Sequence, residues 1–67
     1  MKTIAEIVIP IAVDRAFHYA IPPALSVKAA IGKRALVPFG NRQIVGFITG
    51  FTDKSGITNL KEIIDVL

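Results

Sequence analysis

The chain has no cysteine, no tryptophan and a single histidine. Without thiols it has no disulfide to staple it, and no cysteine–histidine set to hold a structural metal. His18 lacks a second imidazole or thiol that would make it a metal ligand. Catalytic parts are equally sparse. Asp14, His18 and Ser26 can be assembled on paper into a triad, but chance supplies such trios, and Ser26 follows Leu25 with no glycine elbow to raise it as a nucleophile. No G-x-x-x-x-G-K-[ST] loop is present, so the chain is not a nucleotide-driven motor by itself. No apolar run approaches the ~18 residues of a membrane span. Glu6 stands where a signal peptide would have its apolar core, so the expectation is a cytoplasmic protein with no membrane partner. These absences lead to the expectation of a binding module and not an enzyme, without cofactor or metal.

What is present is a folding composition: 52% of the 67 residues are hydrophobic and 19% charged. A chain of this size makes one domain, 1–67, and buries only about 60% of the surface it exposes when unfolded. A module cut from a longer chain is as natural as a free-standing protein. An open sheet edge at this size would favour a homodimer or docking onto a neighbour. The net charge of +3 hides an asymmetry. Residues 15–52 carry Arg15, Lys28, Lys33, Arg34 and Arg42 and no acid, whereas both flanks are slightly acidic. A basic block of this kind attracts polyanions and speeds their encounter; it is also what an ordinary solvated surface can look like.

The clearest structural signal is GKRALVPFGNRQIVGFITGF, Gly32 to Phe51. Ala35, Val37 and Phe39 alternate with Arg34, Leu36 and Pro38; Val45, Phe47, Thr49 and Phe51 alternate with Ile44, Gly46, Ile48 and Gly50. Gly40-Asn41 between them suits a tight turn, which predicts a central β-hairpin. Upstream, Thr3–Pro10 reads as a strand apolar on both faces, ended by Pro10, and Ile11–Arg15 as a connecting loop. Ala16–Ile21 reads as a second strand with Phe17, Tyr19 and Ile21 on one face and His18 on the other. Pro22-Pro23 stops it, and Ala24–Ile31 has room for one helical turn. Thr52–Asn59, with Ser55-Gly56, is a polar loop. In Leu60–Leu67 the apolar spacing fits a helix through Leu60, Ile63, Ile64 and Leu67, or a strand through Ile64 and Val66. The β-branched Ile63-Ile64 pair and the all-β context favour the strand. The fold class that results is all-β: a small barrel of OB or SH3-like kind, with four to six strands around a central hairpin.

Two motifs then line up. One is F-x-Y-x-x-P at Phe17, Tyr19 and Pro22; the other is G-x-R-x-x-V-P-F-G at Gly32, Arg34, Val37, Pro38, Phe39 and Gly40, with Gly46 in the next strand. With the I-V-I-P opening and the terminal L-K-E-I-I-D-V-L, they resemble the N-terminal 3′-binding domain of the PriA family of replication-restart helicases (primosomal protein N′) over essentially the whole chain. The resemblance implies an OB-like unit that captures the 3′ end of the nascent leading strand at stalled or repaired forks and so orients an ATP-dependent helicase for primosome assembly. It implies as partners DNA, the helicase domains of a parent chain, other primosome proteins and single-stranded DNA-binding protein. The family's end pocket uses an aromatic residue, an acid, the glycine ending VPFG and a lysine in the last segment, which map onto Phe17, His18, Gly40 and Lys61. Arg34 and Arg42, flanking the hairpin, are candidate phosphate contacts on charge alone.

The physics of that mapping is reasonable. An aromatic ring offers a surface for a terminal base, worth ~1–3 kcal/mol where it stacks. A glycine lets backbone approach the sugar, and a lysine neutralises the last phosphate. His18 departs from the pattern, because the family commonly has an aspartate there. Neutral imidazole has one donor and one acceptor against the acceptor-only carboxylate, so base preference or affinity should differ. Each residue also has a plainer reading: Phe17 and Tyr19 as core, His18 and Lys61 as exposed side chains, Gly40 as turn geometry alone. The alternative function is an SH3-like or OB-like RNA-binding domain of a translation or ribosomal protein, indifferent to a 3′ end and steeply salt-dependent.

Overall fold

The computed structural model describes residues 3–54 and 59–67. Five strands follow in order: β1 (Ile4–Ile9), β2 (Ala12–Ala20), β3 (Arg34–Phe39), β4 (Arg42–Thr52) and β5 (Asp65–Val66). A single 3-10 turn, Pro23–Leu25, lies between β2 and β3. The polar stretch Ser55-Gly56 falls outside the described residues. The strands form one sheet in the order β2-β1-β4-β3-β5, and every neighbouring pair is antiparallel. β4 is the long member: its first half pairs with β3 and its second half with β1, so the sheet curls around it.

The last segment closes the curl. Lys61 accepts the Ala20 N–H at 2.9 Å, and the Ile63 N–H donates to the Ala20 carbonyl at 3.0 Å, making a parallel bridge between Ala20 and Glu62. One residue later the Ile64 N–H turns to the Leu36 carbonyl of β3 at 2.8 Å, and the Leu67 N–H reaches Arg34. Successive peptide groups of an extended chain point to opposite sides, so this single segment bonds β2 on one flank and β3 on the other. The result is a small OB-like β-barrel. Residues 60–67 are extended and not helical, but only Asp65–Val66 form a strand, with an isolated bridge at Glu62. Ile63 and Val66 are buried while Ile64 is exposed, so strict alternation breaks between the Glu62 bridge and the Asp65–Val66 strand, where residues 63 and 64 belong to neither.

Ala5, Ile7 and Ile9 of β1, Tyr19 of β2, Ala35 and Val37 of β3, and Ile48 of β4 fill the interior with Ile63 and Val66. The alternation of β1, β2 and β3 therefore points inward as the sequence predicts. In β4 it does not run unbroken. The ladder with β1 shifts between Glu6 and Ile7, so that Glu6 faces Gly50 but Ile7 faces Ile48. Thr49 is the surplus residue of this β-bulge, and its hydroxyl donates to the Glu6 carbonyl at 3.2 Å. The extra residue inverts the parity, and Phe51 packs on the core with Ile48 instead of facing out with Phe47.

The two hairpin turns differ. Gly40 has φ of 62° while Asn41 keeps a negative φ, the pattern of a type II′ turn, and only glycine enters it without strain. Pro10-Ile11 joins β1 to β2, with Ile9 opposite Ala12. Pro10 fixes a negative φ and forbids a primed turn. The β1–β2 register then breaks between Val8 and Ile9, leaving residues 13–15 surplus on β2. The stretch expected as a loop up to Arg15 is thus mostly strand: the reversal takes only Pro10 and Ile11, and the excess length is absorbed as an irregularity.

Candidate nucleic-acid interface

Beyond the Ala20–Glu62 bridge the two walls of the closing seam separate, and a pocket of about 200 Å³ opens between them. Phe17, His18 and Tyr19 of β2 line one side, and Asn59, Leu60 and Lys61 the other. The β2 wall is rigidly held. Tyr19 is 5% exposed, and its hydroxyl donates to the Pro38 carbonyl of β3 at 2.8 Å. Burial raises the Tyr19 phenol above its ordinary value of 10.0. Phe17 meets the ring of Phe39 edge to face, with centroids 5.3 Å apart. The Arg15 guanidinium sits 4.7 Å from the centre of the Phe17 ring, a cation–π contact made by one of the surplus residues of the β2 irregularity.

Three of the four residues mapped onto the end pocket, Phe17, His18 and Lys61, therefore line one cavity although they come from opposite ends of the chain. Gly40 is not a lining residue. It follows Phe39, whose ring buttresses Phe17, and so sits at the same end of the barrel. Arg42 is the register partner of Phe39, whereas Arg34 lies at the far end of β3 opposite Phe47. Both arginines are exposed. Lys28 of the basic block is engaged with Asp65 at 3.4 Å. Arg15, Asn59, Leu60 and the support from Pro38 escape sequence reasoning, because each depends on which segments the seam brings together. Glu6 also escapes it: the carboxylate lies opposite His18 in register, Oε2 to Nε2 3.5 Å. Among the described residues, no group of three or more His, Cys, Asp or Glu is placed to hold a metal ion.

A family model described as the 3′DNA-binding domain of PriA matches residues 6–67. The chain belongs to the PriA 3′DNA-binding domain family. Similarity to individual PriA proteins agrees. The chain is 37% identical to the replication restart protein PriA of Bacillus subtilis over 68 aligned positions, covering 94% of this chain. It is 35% identical to the PriA of Buchnera aphidicola over 85% of its length, and 32% identical to that of Treponema pallidum over 92%. It spans only 8–10% of the length of these relatives. The matched family is thus a DNA-binding unit, and none of the described residues forms a helix long and apolar enough to cross a membrane.

Proposed function

We propose that this domain captures the 3′-terminal nucleotide of a DNA strand, the nascent leading strand at a stalled or repaired fork. It would do so without ATP hydrolysis of its own, as the part of a replication-restart helicase that orients the motor. The observation that carries this reading is the convergence of Phe17, His18 and Lys61 on one cavity in a chain of the PriA 3′DNA-binding family. In this reading Phe17, backed by Phe39 and Arg15, gives the terminal base an apolar wall, and Lys61 pairs with the last phosphate. Gly40, with no atom within 4 Å of where a Cβ would stand, keeps the lip of the barrel bare for sugar and backbone. Arg42, beside Phe39, extends the positive surface along the strand; Arg34, at the other end of β3, serves phosphates further from the terminus.

The test is fluorescence anisotropy with two short single-stranded oligonucleotides that differ only in a 3′-hydroxyl or a 3′-phosphate. The expected result is tighter binding to the hydroxyl end, with the preference lost in Phe17→Ala and Lys61→Ala. Equal binding to both ends, falling steeply with salt, would reduce the domain to a basic barrel with general affinity for nucleic acid.

A further inference from the structure

Arg15 is the first residue of β2 beyond the Val8↔Ala16 pair, where the ladder with β1 slips. Its position is therefore not set by the register that holds Phe17 opposite Ile7. Residues 15 and 17 of an extended chain share a face, and the Arg15 guanidinium lies over the Phe17 ring, 4.7 Å from its centre. The same ring meets Phe39 at 84°, with centroids 5.3 Å apart. Phe17 is thus propped by a second ring and capped by a cation, and it lines the pocket while Arg15 does not. Arg15 is exposed, and among the described residues no ion pair with an acid takes up its charge; Lys28, by contrast, is paired with Asp65. A guanidinium stacked on a ring keeps its N–H donors in its own plane, directed past the ring edge. That planar fork matches the two free oxygens of a phosphodiester.

We propose that Arg15, seated on Phe17, is a DNA-contact residue whose guanidinium hydrogen-bonds the second backbone phosphate from the captured 3′ end. This rests on the end-capture reading above. There Lys61, a lining residue, pairs with the last phosphate, so the next one along the strand is left for a cation outside the pocket. The Phe17 ring then joins two contacts, packing on the terminal base within the cavity and carrying the phosphate-binding cation beyond it. Stacking also holds the arginine in place before DNA arrives, which lowers the side-chain entropy lost on binding. A lysine at this position would keep the charge but neither the stacking plane nor the fork.

The test uses a single strand with a 3′-hydroxyl in which one phosphate at a time, counted from that end, is replaced by a neutral methylphosphonate. Arg15→Gln keeps a flat group able to cover Phe17 and removes the charge. It should weaken binding of the unmodified strand by about fivefold and reduce the slope of log affinity against log salt by about 0.7. Neutralising the second phosphate should cost the wild type a similar factor and cost Arg15→Gln nothing further. Arg15→Lys should restore the salt slope without restoring the full affinity. A residue that merely braces Phe17 would give losses that add at the second phosphate and a salt slope unchanged in Arg15→Gln; either result would overturn the proposal. If the wild-type domain bound 3′-hydroxyl and 3′-phosphate ends alike, end capture would fall on its own account. A slope lowered in Arg15→Gln would then still support Arg15 as a phosphate contact, and an unchanged one would remove it as well.

Discussion

The two hairpins of the barrel have turns of the same length and opposite characters. The β3–β4 hairpin runs through six partner pairs without a break, from Arg34↔Phe47 to Phe39↔Arg42, around a Gly40 turn whose twist matches its strands. The β1–β2 hairpin starts from a proline that forbids such a turn, and its ladder slips at once. The regular hairpin supplies the frame: buried Ala35 and Val37, the Pro38 carbonyl that receives Tyr19, and the Phe39 ring. The irregular one supplies Arg15, Phe17 and His18, the side chains that meet the pocket or brace it. Of these, only Arg15 lies in the slipped stretch; Phe17 and His18 keep regular pairs with Ile7 and Glu6, so the slip adds a brace to a wall that is itself regular.

That division can be broken at the frame first. Gly46 sits where a Cβ would come 2.6 Å from Ile7 Cγ2 and 2.8 Å from the Val8 carbonyl oxygen. Gly46→Ala should therefore lower stability by about 2–3 kcal/mol in urea titrations, through overpacking that backbone cannot relieve. Ala16, exposed on the irregular strand, should accept serine within about 0.5 kcal/mol. Equal losses at the two sites would erase the contrast between the hairpins.

Tyr19 joins the two halves and gives the next largest effect. Tyr19→Phe removes the 2.8 Å bond to the Pro38 carbonyl and should cost about 1–1.5 kcal/mol. It should also change the response to alkali. Burial favours the neutral phenol and raises its value in the fold. The Tyr19 contribution is therefore intact below about 10, the unfolded-chain value, and is lost as pH climbs from there through the higher folded value. The melting temperature of the wild type should fall more steeply than that of Tyr19→Phe above that pH. The smallest effect sharpens the comparison of the turns themselves. Gly40→Ala, forced into a φ of 62°, should cost about 1 kcal/mol, while Pro10→Ala should shift stability by less than half of that.

Much of this frame is legible in the sequence, because one-sided burial imposes a two-residue period. Phe17, Tyr19 and Ile21 point inward, and so do Ala35, Val37 and Phe39, as their alternation requires. The Thr49 bulge is not legible, since one surplus residue reverses parity without altering composition. Nor is the start of β2 at Ala12, because Pro10-Ile11 is enough to reverse the chain. Residues 60–67 fit two periods on paper; what decides between them is a bonding partner on each flank, which spacing does not encode. At the site, Phe17, His18 and Lys61 are recognisable by motif. Their meeting with Asn59 and Leu60 depends on the seam, and Glu6 beside His18 depends on cross-strand register.

The seam has a kinetic side as well. Ala20 and Glu62 are separated by most of the chain, so their bridge, like the β1–β4 pairs, is among the contacts of high contact order that carry a large loop-closure entropy. The amides of Ala20 and Ile63 should accordingly exchange with solvent through openings smaller than global unfolding, a local breathing of the barrel at the mouth of the pocket. A strand end gripped by Phe17 on one lip and Lys61 on the other would span that joint. DNA bound in this way would act as a clasp, slowing exchange at the seam by the same factor by which it favours the closed barrel.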